Sequence, residues 1–194
     1  MTQNNAMSVM EAINGRQSVR AYAPQNLDAS TVRALLAAAV RAPTAVHEEP
    51  WAFAIIQDRA ALKRLSDRAK PLFMEEVHHA HLDRGGHTLE IFASPDFNIF
   101  YDAGTLVVIG AQVAGPFVAA DCWLAAENLM LAAYAMGLGT CVIGSAVAAL
   151  NLPDVKSELG IPATFSAIAP VIVGVPSGAT PVTSRKQPPV VVWK

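Results

Sequence analysis

The sequence predicts an α+β fold, a sheet packed by helices, and three observations carry that reading. Helical and strand-like segments are interleaved along the chain. The longest helical segment, the alanine-rich run 117–136, is apolar on most sides and so reads as central, unlike the outer helices of a regular parallel array. No glycine-rich fingerprint follows a strand, because Gly137-Leu138-Gly139 ends that helix instead of opening one.

The elements follow in order. Ser8 and Glu11 have capping-box spacing, and Gly15 closes the short helix they start. The cluster Arg16-Gln17-Ser18-Val19-Arg20 comes directly after that stop. A second helix starts at Asp28, carries Val32, Leu35, Leu36, Ala39 and Val40 on one face, and must end before Pro43. Residues 51–57 read as a buried strand and 58–70 as a helix. The stretch 71–100, with His78, His79, His81, His87 and Gly85-Gly86, mixes its pattern and suits a mobile excursion or lid better than core. Strands are expected at 105–110, 140–143 and 168–174, with a short helix at 153–159. Beyond Pro176 the tail is rich in proline and ends in Val190-Val191-Val192-Trp193. Such a run pairs poorly alone and could reach a partner subunit.

Composition narrows the function. The chain has 194 residues, which suits one compact domain. Apolar residues make up 53% and charged residues 15%, against a usual charged share of about 25%. One small globule cannot hide that much apolar surface, so an oligomer is expected, most simply a symmetric homodimer. A net charge of -2 gives no electrostatic reason to bind nucleic acid. No apolar run approaches the roughly 20 residues that span a membrane, and residues 1–7 lack the basic and apolar regions of a secretory signal. Cys122 and Cys141 are too few for a disulfide framework, so the cytoplasm is the expected compartment.

Two segments carry chemistry. Arg16, Ser18 and Arg20 offer two guanidinium groups and a hydroxyl within a short span, a donor set suited to phosphate. Taken alone the cluster reads equally well as a solvated turn. In the second segment, Pro43 and Pro50 bracket Thr44-Ala45-Val46-His47-Glu48-Glu49, a stiff backbone that can lie against a flat ligand before Trp51 enters the core. A phosphate anchor and a stiff loop together suggest a phosphorylated planar cofactor. The histidines at 78–87 lack a carboxylate or cysteine pattern around them, so no metal site is assigned. Cys122 and Cys141 read as packing residues, Glu127-Asn128 as a buried polar pair bracing a helix, and Arg185-Lys186, taken alone, as tail charge.

Together these segments resemble the nitroreductase family of FMN-dependent NAD(P)H oxidoreductases. The resemblance runs through Arg-x-Ser-x-Arg at 16–20, Ala-Pro-Thr at 42–44 and Glu-Pro-Trp at 49–51. It continues through Glu127-Asn128-Leu129-Met130-Leu131-Ala132-Ala133, Gly137-Leu138-Gly139-Thr140, and Arg185-Lys186 before Pro188. It implies a mostly antiparallel sheet in an intertwined homodimer, with two FMN sites at the subunit interface, each built from both chains. The whole chain would be one FMN-binding domain, with 177–194 as an arm extending to the partner. Arg16 and Ser18 would hold the 5′-phosphate, with Gln17 beside them and Arg185 and Lys186 joining from the tail. Pro43, Thr44 and Ala45 would lie along the ribityl chain and flavin edge, and the backbone at Ile143-Gly144 would approach N5. Arg20 would sit near N1 and O2, where a fixed cation favours the reduced flavin.

The implied activity is a ping-pong cycle in which NADH or NADPH delivers hydride and a flat electron-poor acceptor, a nitroaromatic or quinone, takes two electrons. The resemblance also covers flavin-dependent dehydrogenases that pass electrons to oxygen, and a non-catalytic FMN-binding module is the reading from another class. No catalytic side chain is named, since solvent can supply protons and the cofactor carries the chemistry. This chain departs from the family at His47 and Glu49, where Asn and Gln are usual. Glu49 can still accept from the flavin N3-H, but its charge opposes the reduced anion.

Overall fold

The structure, a computed structural model, describes residues 7–79 and 86–194. The polar start at 1–6, and His81 and Gly85 of the histidine-bearing stretch, lie outside the described residues. Four strands form one antiparallel sheet: β1 (Trp51–Ile56), β2 (Thr105–Ala111), β3 (Gly139–Val142) and β4 (Ser166–Gly174), in the order β1-β2-β4-β3. Seven helices are described: α1 (Val9–Gly15), α2 (Ala29–Ala39), α3 (Arg59–His79), α4 (Gly86–Ala93), α5 (Val118–Ala135), α6 (Val147–Leu150) and α7 (Pro153–Leu159). The expected α+β class and antiparallel sheet are what the chain adopts.

The sheet is covered on both faces, and the alternation along β2 shows it. Val107 and Ile109 point into a cluster with Leu35 of α2 and Leu129 of α5. Leu106 and Val108 point into the other cluster, with Leu62 and Leu65 of α3 and Leu150 of α6. Every residue of β2 is buried, so a strand flanked by two helical layers reads as an unbroken apolar run rather than an alternating one. Truncating a fully buried leucine of this kind, such as Leu129, removes about 2–5 kcal/mol.

Local rules set the helix ends. The Ser8 hydroxyl and Glu11 carboxylate form the expected capping box. Asp28 caps α2 by accepting the Thr31 N–H at 2.8 Å. Gly137, at φ 75°, turns the chain out of α5, and the Leu138 N–H returns to the Ala133 carbonyl at 2.8 Å.

Three expectations are corrected. The two ends of the stretch 71–100 are not a detached lid: α3 runs on through Pro71 to His79, and Ile99 and Phe100 are core residues. The mixed pattern there hid the end of α3 and all of α4, which contact each other. The second correction concerns α5, which buries one face only, leaving Trp123 and Leu124 exposed on the other. Asn128 does brace α5, its amide donating to the Ala38 carbonyl at 3.4 Å, but Glu127 is exposed, so the two are not a buried pair. A further helix, α6, follows β3 where none was expected. Its four residues are too few to show helical periodicity.

Candidate functional site

The Arg16–Arg20 segment lies along the free edge of β3. Ser18 pairs with Thr140 in a parallel bridge, and the Val19 N–H donates to the Thr140 carbonyl at 2.9 Å. The segment can approach this closely because position 139 is glycine: a Cβ there would stand 2.7 Å from a Val19 methyl. Tyr22 pins the same turn, its buried hydroxyl donating to the Val19 carbonyl at 2.8 Å. Burial pushes that phenol far above its ordinary range, so it remains a donor. Val19 is buried in this arrangement while Ser18 and Arg20 are exposed.

Around β3 the polar groups converge. The Ser18 hydroxyl and the charges of Arg20 and Arg16 all act on the Cys141 thiol. Burial raises the Cys141 pKa and the two arginines oppose that rise. Cys122, inside α5, is pushed up to about 11 by burial and by the neighbouring Asp121 carboxylate. Both cysteines therefore stay protonated at neutral pH, in keeping with packing roles. Arg16 Nε stands 3.8 Å from the Glu127 carboxylate.

Cavities lie on either side of this segment. One, of about 390 Å³, is lined by Gly15, Arg16, Gln17, Tyr134, Leu138 and Thr180. The tail closes it, the Thr183 N–H donating to Gln17 Oε1 at 2.9 Å, which leaves Arg185 and Lys186 two and three residues further on. The other, of about 400 Å³, is lined by Arg20, Tyr101, Cys141, Ile143 and Gly144 among others. The Ile143 N–H is occupied in the sheet, donating to the Pro170 carbonyl at 2.9 Å. Gly144 is the exposed member of that pair, and a Cβ on it would meet nothing within 4 Å.

The Pro43–Glu49 loop lies elsewhere. It leads into β1, the opposite edge of the sheet, about 14 Å away at ordinary strand spacing. Its anchor is Asp121 in the first turn of α5, whose Oδ1 accepts the Ala45 N–H at 3.2 Å. Asp121 is buried, and its Oδ2 has no hydrogen-bond partner among the described residues. The thirteen residues from Asp121 to Tyr134, which lines the cavity beside Arg16, span about 20 Å of helix. One chain therefore does not bring the loop to the arginines. Sequence reasoning had not singled out Asp121, Tyr22 or Tyr101; a lone acidic residue at the head of an apolar helix was the available signal for the first.

The loop is also strained. Val46, His47 and Glu49 adopt φ of 49°, 56° and 46°, a left-handed region that non-glycine residues rarely enter. All three are exposed, so burial does not impose the conformation. Val46→Gly is expected to raise unfolding stability by about 1 kcal/mol, because a β-branched residue is the worst fit there. Urea unfolding checks this, and a loss of stability would show that the side chain makes contacts worth more than the strain.

Comparison with known proteins places this geometry. The model of the "Nitroreductase family" matches residues 13–175, which covers both arginine cluster and loop. The chain belongs to the nitroreductase family. A provisionally named NADH dehydrogenase/NAD(P)H nitroreductase from Archaeoglobus fulgidus is 26% identical over 168 residues, 86% of this chain and 84% of that one. The solved nitroreductase with bound FMN from Bacteroides fragilis is 26% identical at a TM-score of 0.78, covering 96% of this chain and 97% of its own. Iodotyrosine deiodinase bound to FMN and 3-iodo-L-tyrosine shares the nitroreductase fold at a TM-score of 0.72 and 22% identity, with coverage of 94% and 97%. No helix among the described residues is long and apolar enough to cross a membrane.

Proposed function

We propose that the protein is a cytoplasmic homodimer that holds FMN between its two chains and uses NADH or NADPH to reduce a flat electron-poor acceptor, a nitroaromatic or a quinone. The observation that carries this reading is the split site. The arginine cluster and the strained loop sit at opposite edges of one sheet, so they meet only if a second copy supplies the loop. Exposed apolar side chains support the second copy: Phe117, Trp123 and Leu124 on and beside α5, and Val191 and Trp193 in the tail.

The residues present fit FMN. Arg16 lines one of the two cavities and Arg20 the other, with Ser18 between them in sequence, so one short segment offers charge-assisted donors to a phosphate and to a reduced flavin edge. Gly144 borders open space, where a flat ring can approach backbone. In this reading Arg16, Gln17 and Ser18 hold the phosphate end, Arg185 and Lys186 close over it, and Arg20 and Gly144 face the ring. Pro43, Thr44, Ala45, His47 and Glu49 of the other copy line its far edge. Bound FMN supplies the two-electron hydride chemistry; the chain binds, orients and tunes it.

Purified protein is expected to be yellow, dimeric and to release FMN on denaturation, and stopped-flow mixing with NADH or NADPH should bleach it rapidly. Colourless monomer that ignores added FMN defeats the proposal. Bleaching by an organic donor instead of nicotinamide marks a dehydrogenase. Arg16→Ala should weaken FMN binding about tenfold, the share of one charge-assisted hydrogen bond. Titration of apoprotein with FMN, followed by fluorescence quenching, measures it, and unchanged affinity removes Arg16 from the phosphate site.

A further inference from the structure

The 400 Å³ cavity beside Arg20 has a wall that the proposed function leaves unused. Four rings form a ladder along it. Phe73 of α3 stands 4.8 Å from Phe92 of α4, Phe92 stands 5.4 Å from Phe97, and Phe97 stands 5.6 Å from Tyr101, between centroids. Tyr101 in turn meets Arg20, whose guanidinium carbon is 5.9 Å from the ring centre. All four rings are only partly buried, so they are not simply core.

Two features fix their position. Lys70, buried on α3, directs its ammonium at the carbonyls of Ser94 at 3.1 Å, Pro95 at 3.4 Å and Phe97 at 3.0 Å, and at the Asp67 carboxylate at 3.1 Å. Burying a lysine is unfavourable unless its donors are met, and here they are met by the turn that presents Phe97. Beyond it, Tyr101 and Asp102 adopt left-handed φ of 50° and 56°, in a turn where the Asn98 amide donates to Asp102 Oδ1 at 2.8 Å. Such conformations persist only where the surroundings hold them, and they cluster at functional sites.

We propose that Phe73, Phe92, Phe97 and Tyr101 form the specificity-determining wall of the acceptor site, that Lys70 is its positioning residue, and that the acceptor is a flat, uncharged aromatic. This rests on the proposed flavin function and narrows its substrate. Staggered rings offer faces and edges on which a planar acceptor stacks. Among the described residues lining the cavity Arg20 is the one that is charged, and Tyr101 engages it; the proposed function assigns it to the flavin. Among the described residues, no other cation lines the cavity to hold a carboxylate or sulfonate on the acceptor.

The test titrates 1,4-naphthoquinone and its 2-sulfonate into oxidised, FMN-loaded protein without NAD(P)H, reading dissociation constants from the flavin difference spectrum. The neutral quinone should bind more tightly than the sulfonate. Phe97→Leu, which keeps an apolar side chain and removes the ring, should weaken naphthoquinone about tenfold while FMN affinity stays within about twofold. Lys70→Met should shift binding the same way, and Phe97→Leu decides alone if that variant does not fold. Tighter sulfonate binding, unchanged naphthoquinone binding in Phe97→Leu, or loss of FMN in that variant overturns the wall. A wild-type protein that takes up no FMN overturns the underlying function as well, and the two failures are told apart by the colour of the wild type.

Discussion

Arg20→Ala is expected to lower the two-electron potential of bound FMN by about 60 mV and to slow its reduction by NAD(P)H. A full charge about 6 Å from the developing negative charge, at an effective dielectric near 20, contributes on the order of 3 kcal/mol. For a two-electron couple that converts to roughly 60 mV. The Arg20 guanidinium lies in the cavity with Gly144, against the Tyr101 ring, and outside the ion pair Lys63–Asp67 within α3 and the two that join α3 to Asp154 and Glu158. Redox titration against dyes of known potential measures the effect. A variant that still holds FMN at an unchanged potential takes this role away from Arg20.

The second large effect runs in the opposite direction and comes, in the proposed dimer, from the other copy's loop. Glu49→Gln should raise the potential by a similar amount, about 60 mV, because it removes an anion from the flavin edge while keeping an acceptor for N3-H. Two ways of silencing that charge are protonation and pairing with His47. The structure shows no ion pair between Glu49 and His47 among the described residues, and both side chains are exposed. Glu49 also holds its left-handed φ of 46° immediately before Pro50, where glutamine fits the same backbone, so the variant isolates charge from shape. No upward movement in the potential would show that Glu49 does not face the ring. The two charges act on the same ring with opposite sign, so the shifts should largely cancel in the double variant.

How much was legible in the sequence differs between elements. The capping box at Ser8, the cap at Asp28 and the glycine stop after α5 follow from local hydrogen bonding, which short spacings report directly. The strands were legible because both faces of β2 and β4 are buried, leaving runs of valine and isoleucine. The stretch 71–100 was illegible for the converse reason. Within 71–79 only Val77 is buried, and α3 runs straight through Pro71, a residue that reads as a stop. Lys70 itself looks like any surface lysine until the Ser94–Phe97 turn folds over it.

The candidate site divides along the same line. Residue types alone named a phosphate-binding cluster, a stiff proline-bracketed loop and a basic tail, since guanidinium geometry and proline stiffness belong to the residues themselves. Only the folded chain decided that the cluster lies along β3 while the loop lies beyond β1, that Asp121 holds the loop, and that Tyr101 backs Arg20. Those are contacts between residues dozens of positions apart. They depend on strand order and helix packing, which no local pattern encodes.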